Sequence, residues 1–100
     1  MILENNMEQD VIVEEETTIN ATITGNVTVR GNSVAQIYGT VTKDVTIESG
    51  SKVYVFGKVA GSITNNGDLE VYGEVNGQII DEAGTAFISR KAVVGANGAE

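Results

Sequence analysis

The stretch VFGKVAGSI, Val55 to Ile63, returns sixteen residues later as VYGEVNGQI, Val71 to Ile79. Eighteen residues before it stands a looser copy, IYGTVTKDV, Ile37 to Val45. Each copy runs aliphatic, aromatic, Gly, then Val two residues on and an aliphatic residue four beyond that. Extending the copies outward places Ile23, Val41, Val59 and Val75 in one column and Val27, Val45, Ile63 and Ile79 in a second. Ile19, Ile37, Val55, Val71 and Ile88 make a third column, and Val34, Val53, Leu69 and Ala86 a fourth. Gly39, Gly57 and Gly73 form a glycine column, entered by Ala21 and left by Arg90.

A period of 16 to 18 residues is shorter than the helical repeats, and no 3.6-residue pattern runs inside it. Val53 and Val55, then Leu69 and Val71, alternate with period two, which is the signature of strands. Three short strands and three corners consume about 17 residues, and stacked coils pair each strand with its counterpart about 4.8 Å away. The chain therefore reads as all-β, a single-stranded parallel β-helix of about 4–5 coils with like residues layered down its axis. One coil can neither bury its inner face nor pair its backbone, whereas stacked coils do both, so the phrase must recur. A six-residue spacing runs from Ile23 through Val29, Ala35, Val41, Ile47 and Val53 to Val59, as in left-handed β-helices, but it stops at Asn65. The 16-residue coil favours a less regular, right-handed winding. The glycine column, with Gly61 and Gly77 and the earlier Gly25, is expected at corners. Ser49-Gly50 and Asn65-Asn66-Gly67 read as turns with positive φ.

Composition agrees. Fourteen Val, ten Ile and ten Thr stand against two Leu, with twelve Gly, nine Asn and no Pro; such β-branched side chains suit a pleated surface. The chain has no Cys, so it offers neither disulfides nor thiolate ligands. It has no apolar run long enough to span a bilayer and no signal-peptide pattern at its start, which reads as cytoplasmic without stable membrane insertion. The net charge of −8 is concentrated: residues 1–16 hold Glu4, Glu8, Asp10, Glu14, Glu15 and Glu16 and no base. This speaks against nucleic acid as a partner and leaves open a basic protein. The expected organisation is an acidic segment or cap over 1–16, a β-helix over 17–95 and a tail over 96–100.

The phrases GDLEVYGEVNGQI and GTAFISRKAVVGA resemble the repeat of bactofilins, bacterial polymer-forming cytoskeletal proteins. The likeness spans about residues 19 to 95 and implies a right-handed β-helix that polymerises end to end without nucleotide and serves as a scaffold.

Catalysis finds little to work with. Without His or Cys the commonest general base, metal ligand and thiolate nucleophile are missing. Pairs such as Asp68 with Glu70 or Asp81 with Glu82 read as solvated surface acids, and Glu14 to Glu16 lack the spacing of a calcium loop. The expectation is a protein with no catalytic site, no cofactor and no bound metal. Tyr38, Phe56 and Tyr72 share one outward column, with Tyr54 two residues from Phe56. This strip is either a protein contact or plain stacking along the ladder. Glu14, Glu15 and Glu16 are a candidate acidic contact, and Arg90 and Lys91 a candidate contact at the C-terminal end. Two functions follow: a scaffold that self-associates through its ends, or a small acidic module, such as an inhibitor or immunity protein, that binds a basic toxin.

Overall fold

The computed structural model describes residues 2–94. They form sixteen short strands and no helix, wound as a parallel three-sided solenoid. The first sheet contains β1 (Ile2–Leu3), β3 (Thr17–Ile19), β6 (Val34–Ile37), β9 (Lys52–Val55), β12 (Asp68–Val71) and β15 (Thr85–Ile88). The second contains β4 (Thr22–Ile23), β7 (Thr40–Val41), β10 (Lys58–Val59), β13 (Glu74–Val75) and β16 (Val93–Val94), and Met7 extends it by a parallel bridge to Ile23. The third contains β2 (Val11–Val13), β5 (Val27–Val29), β8 (Val45–Ile47), β11 (Ile63–Asn65) and β14 (Ile79–Asp81).

Three of the four expected aliphatic columns are ladders of the sheets. Ile19, Ile37, Val55, Val71 and Ile88 stand in register, as do Ile23, Val41, Val59 and Val75, and Val27, Val45, Ile63 and Ile79. The fourth needs a correction. Ala35, not Val34, faces Val53, Leu69 and Ala86, with Thr17 ahead of it. Val34 pairs with Lys52 on the outer side. A further inward column, Val13, Val29, Ile47 and then Asn65, completes the core. Nearly all the inward side chains from Ile19 to Val75 are fully buried, so the axis is a stack of mostly β-branched residues. Each such burial contributes about 1.5–3 kcal/mol.

The glycine column marks a close approach between coils. A Cβ built on Gly57 would stand 2.1 Å from the Gly39 carbonyl oxygen, and one on Gly73 would stand 2.1 Å from that of Gly57. No side chain fits there. Positive φ occurs at Gly50, as expected, and also at Gly31 and Asn32. The Asn65-Asn66-Gly67 corner differs from expectation. Asn65 ends β11 and is fully buried, and its Oδ1 accepts the Gly67 amide at 3.0 Å. Its Nδ2 donates to the Asp81 carboxylate at 2.7 Å and to the Thr85 carbonyl at 3.0 Å. The asparagine thereby closes a corner two residues shorter than the preceding one.

All five complete coils keep four residues between the inner aliphatics of the second and third sheets, as in Val41 to Val45 and Val59 to Ile63. The span from the third sheet to the first changes instead, from ten residues between Val45 and Val55 to eight between Ile63 and Val71. Variation in coil length is concentrated at that corner, with a second departure between Ile88 and Val94.

The acidic segment expected to lie over the first coil is itself the first coil. β1 pairs with β3, Met7 with Ile23, and β2 with β5. Leu3, Met7 and Val11 pack against the core, Val13 belongs to it, and the carboxylates point outward at the corners. The tail expected over 96–100 lies outside the described residues.

Candidate functional site

Two surfaces stand out, a ladder of rings on the outside and the first coil at the N-terminal end of the prism. Strand alternation directs Tyr54 outward between the inward Val53 and Val55, and Phe56 follows at the corner. The 18- and 16-residue coils then set Tyr38 below Phe56 and Tyr72 above it. Ring centroids lie 4.8 Å apart for Tyr38 and Phe56 at 12°, and 5.3 Å apart for Phe56 and Tyr72 at 9°. Tyr54 lies beside Phe56 at 6.1 Å. Phe87 joins the ladder as well, 6.0 Å from Tyr72 and tilted by 50°, so the strip holds all five aromatic residues. Phe87 shares an outward column with Tyr54 and Glu70, an alignment visible in the repeat.

The rings of Tyr38, Phe56 and Tyr72 spend much of their faces on one another, which stabilises each pair by about 0.5–1.5 kcal/mol beyond area burial. Their edges meet solvent, with exposures of 51%, 40% and 39%. A small polar network borders the strip. Lys52 Nζ lies 3.1 Å from Glu70 and 4.7 Å from the centre of the Tyr54 ring, and the Tyr72 hydroxyl donates to Glu70. Hydrogen bonds from Tyr72 and Lys52 hold the Glu70 carboxyl below its usual range. The hydrogen bond to Glu70 raises the Tyr72 phenol, and contacts with Tyr54 and Glu70 keep the Lys52 ammonium charged well above its ordinary range.

The other predicted residues are spread along the axis. Glu14, Glu15 and Glu16 are exposed on the first coil, at the corner leading to β3. Glu14 forms a 3.0 Å ion pair with Arg30 in the next coil, and the Glu15 carbonyl accepts the Thr17 hydroxyl. Arg90 and Lys91 are exposed on the last coil, after β15. Among the described residues no group of His, Cys, Asp or Glu is placed to hold a metal ion. No described helix is long and apolar enough to cross a membrane.

At the N-terminal end the strand edges are open. Among the described residues, β1, Met7 and β2 pair on one side only, with strands of the next coil. Between them opens a depression of about 250 Å³, its floor formed by Leu3, Met7, Val11 and Val13 and its lining completed by Ile12 and the polar Gln9, Asp10 and Thr17. Ile2 and Ile12 are exposed there as well. The last coil likewise leaves Ile88 and Val93 exposed.

A device along the corner between the second and third sheets was not anticipated. The Asp10 carboxylate accepts the Asn26 amide, the Asn26 side chain accepts the Asp44 amide, and the Asp44 carboxylate accepts the Ser62 amide. The Ser62 hydroxyl then accepts the Gln78 amide, so one polar side chain per coil ties it to the next. The signal was present in the sequence, as a polar residue immediately before each aliphatic of the third sheet. No family model, curated protein or solved structure matches the chain.

Proposed function

We propose that this protein is a non-enzymatic scaffold of bactofilin type that self-associates through the ends of its solenoid. The observation that supports this reading is the first coil, where unpaired strand edges surround an apolar depression of about 250 Å³. Free backbone donors and acceptors beside an apolar surface template the addition of further strands. Stacking a second solenoid there pairs the backbone and covers the side chains in one step. Sedimentation velocity and electron microscopy on purified protein at micromolar concentration test the proposal. Rods or concentration-dependent oligomers are expected, and a single monomeric boundary at every concentration would refute it.

A second reading is favoured by the aromatic ladder. Its half-exposed ring edges, on a chain of net charge −8, suit a contact with a basic protein partner. Capture of such a partner, lost both in Tyr72→Ala with Phe56→Ala and in high salt, would favour this module over the scaffold.

A further inference from the structure

We infer that Asn66 is a site of spontaneous deamidation, and that the buried side chain of Asn65 sets its rate by holding the Gly67 amide. The modification takes place within one chain and is independent of how copies associate.

An asparagine amide is lost most readily where glycine follows, because no side chain hinders the glycine nitrogen as it turns onto the asparagine. The sequence holds three such pairs, Asn66-Gly67, Asn76-Gly77 and Asn97-Gly98, the last outside the described residues. In the reaction the Gly67 nitrogen gives its proton to hydroxide and attacks Asn66 Cγ. An N–Cγ bond forms, the Cγ–Nδ2 bond breaks, and Nδ2 leaves as ammonia after taking a proton from water. Water then opens the resulting cyclic imide at either carbonyl, which leaves aspartate or isoaspartate at position 66. Nothing is oxidised or reduced, and solvent supplies both hydroxide and water.

Both reacting groups are occupied in the folded chain. The Gly67 amide donates to Asn65 Oδ1 at 3.0 Å, and Asn66 Nδ2 donates to Glu82 Oε1 at 3.2 Å. While the first bond stands, the amide neither loses its proton nor turns toward Asn66. Asn65 is fully buried, and its Nδ2 is fixed by the Asp81 carboxylate at 2.7 Å and the Thr85 carbonyl at 3.0 Å. The glycine that invites the reaction is itself imposed by packing, since a Cβ at Gly67 would stand 2.2 Å from the Ser51 carbonyl oxygen. The Asn76-Gly77 pair is held differently. There the Gly77 amide donates to the Gly61 carbonyl at 2.9 Å, a bond between backbones that does not involve Asn65. Conversion of Asn66 loads the corner. A carboxylate would face Glu82 where an amide had donated, and isoaspartate would add a methylene to a corner already two residues shorter than the preceding one. The next coil is tied to that corner, because the Glu82 amide donates to the Asn65 carbonyl at 3.0 Å.

Full-length protein is incubated at mildly alkaline pH, and conversion of Asn66 and Asn76 is followed by peptide mapping with mass spectrometry. Hydrogen exchange at the Gly67 amide is measured alongside. Folded wild type should convert Asn66 more slowly than guanidinium-unfolded chain, by at least the factor that protects the Gly67 amide from exchange. Asn65→Val, once circular dichroism confirms that it folds, removes the acceptor. It should raise both Asn66 conversion and Gly67 exchange about two- to tenfold, with Asn76 unchanged. Asp81→Ala, at an exposed position, releases one hydrogen bond of Asn65 and should shift both rates in the same direction; it carries the test if Asn65→Val does not fold. Equal acceleration at Asn66 and Asn76 would mean that the variants loosen the whole coil, and would overturn the role given to Asn65. Conversion at Asn66 that stays constant while Gly67 exchange rises would overturn it too, as would a folded wild type that converts as fast as the unfolded chain. No conversion at Asn66 even in the unfolded chain would remove the site itself.

Discussion

Replacing Gly57 with alanine adds one methyl group at the narrowest point between coils. The new Cβ would stand 2.1 Å from the Gly39 carbonyl oxygen and 2.5 Å from that of Tyr38, both rigid backbone atoms. Relieving the contact requires the two coils to part by about 1 Å, since nonbonded carbon and oxygen pack near 3.0–3.4 Å. Three backbone bonds cross this gap: Phe56 and Gly57 each donate to the Ile37 carbonyl at 2.8 Å, and Lys58 donates to that of Gly39 at 2.9 Å. Parting by that distance breaks one or two of them, at about 1–3 kcal/mol for each group left buried and unpaired. Overpacking adds about 1–3 kcal/mol, and the reduced freedom of the unfolded chain returns about 0.4–1 kcal/mol. Taking the middle of each range, the net loss is about 3–5 kcal/mol, which lowers the melting temperature of a chain this size by about 12–40 °C. Circular dichroism melts of Gly57→Ala and wild type measure this directly. Ala21→Gly is the control, because that column begins with an alanine that the structure accommodates; it should cost no more than about 1 kcal/mol. A Gly57→Ala melt within a few degrees of wild type would mean that the coils do not approach as described.

Phe56→Ala removes the central ring and its contacts with Tyr38, Tyr54 and Tyr72, so stability by urea unfolding should fall by about 1–3 kcal/mol while the strand signal persists. Asn65→Val restores an aliphatic ladder but loses two donated and one accepted hydrogen bond. At a middle value of about 1 kcal/mol each, against roughly 1.5 kcal/mol gained from the apolar side chain, the variant should lose about 1.5 kcal/mol. Faster hydrogen exchange at the Gly67 amide should accompany it; an equally or more stable variant would contradict the assigned role. The folded pKa of Glu70 lies below its ordinary value of 4.5, so its contribution is complete above that value and disappears as pH falls through the lowered one. The pKa of Tyr72 is raised above 10.0, so its share is complete below that pH and disappears as pH rises through the higher value. The stability difference between wild type and Glu70→Gln should therefore be largest near neutrality and shrink toward both extremes. A difference that does not vary with pH would separate Glu70 from this network.

Most of the solenoid could be read from the repeat, because its physical causes are strictly periodic. An inward residue must be aliphatic, and a corner where backbones nearly touch must lack a side chain. Val34 misled because a valine looks more like core than the neighbouring Ala35, yet a small side chain suffices beside the corner and the register turns Val34 outward. The first coil escaped notice although Leu3, Met7, Val11 and Val13 repeat the spacing of Ile19, Ile23, Val27 and Val29. It lacks the aromatic-glycine phrase, and its carboxylates suggested a separate solvated segment. Phe87 was overlooked because its coil lacks the same phrase, although its alignment with Tyr54 was available. The corner ties from Asp10 to Gln78 join side chain to backbone rather than like to like, so no repeated residue type announces them. Asn65 appeared as an interruption of the six-residue spacing, and only its three hydrogen bonds show that it shapes a shorter corner.

Because the core advances by the same four residues from the second sheet to the third in each complete coil, changes in chain length have been absorbed mainly at the edge before the first sheet. That edge is the natural place to graft foreign peptide. A segment spliced between Glu48 and Ser51 would project from the side of the rod, leaving the valine interior and both termini of the stack undisturbed. Successive coils could then display cargo at a fixed pitch.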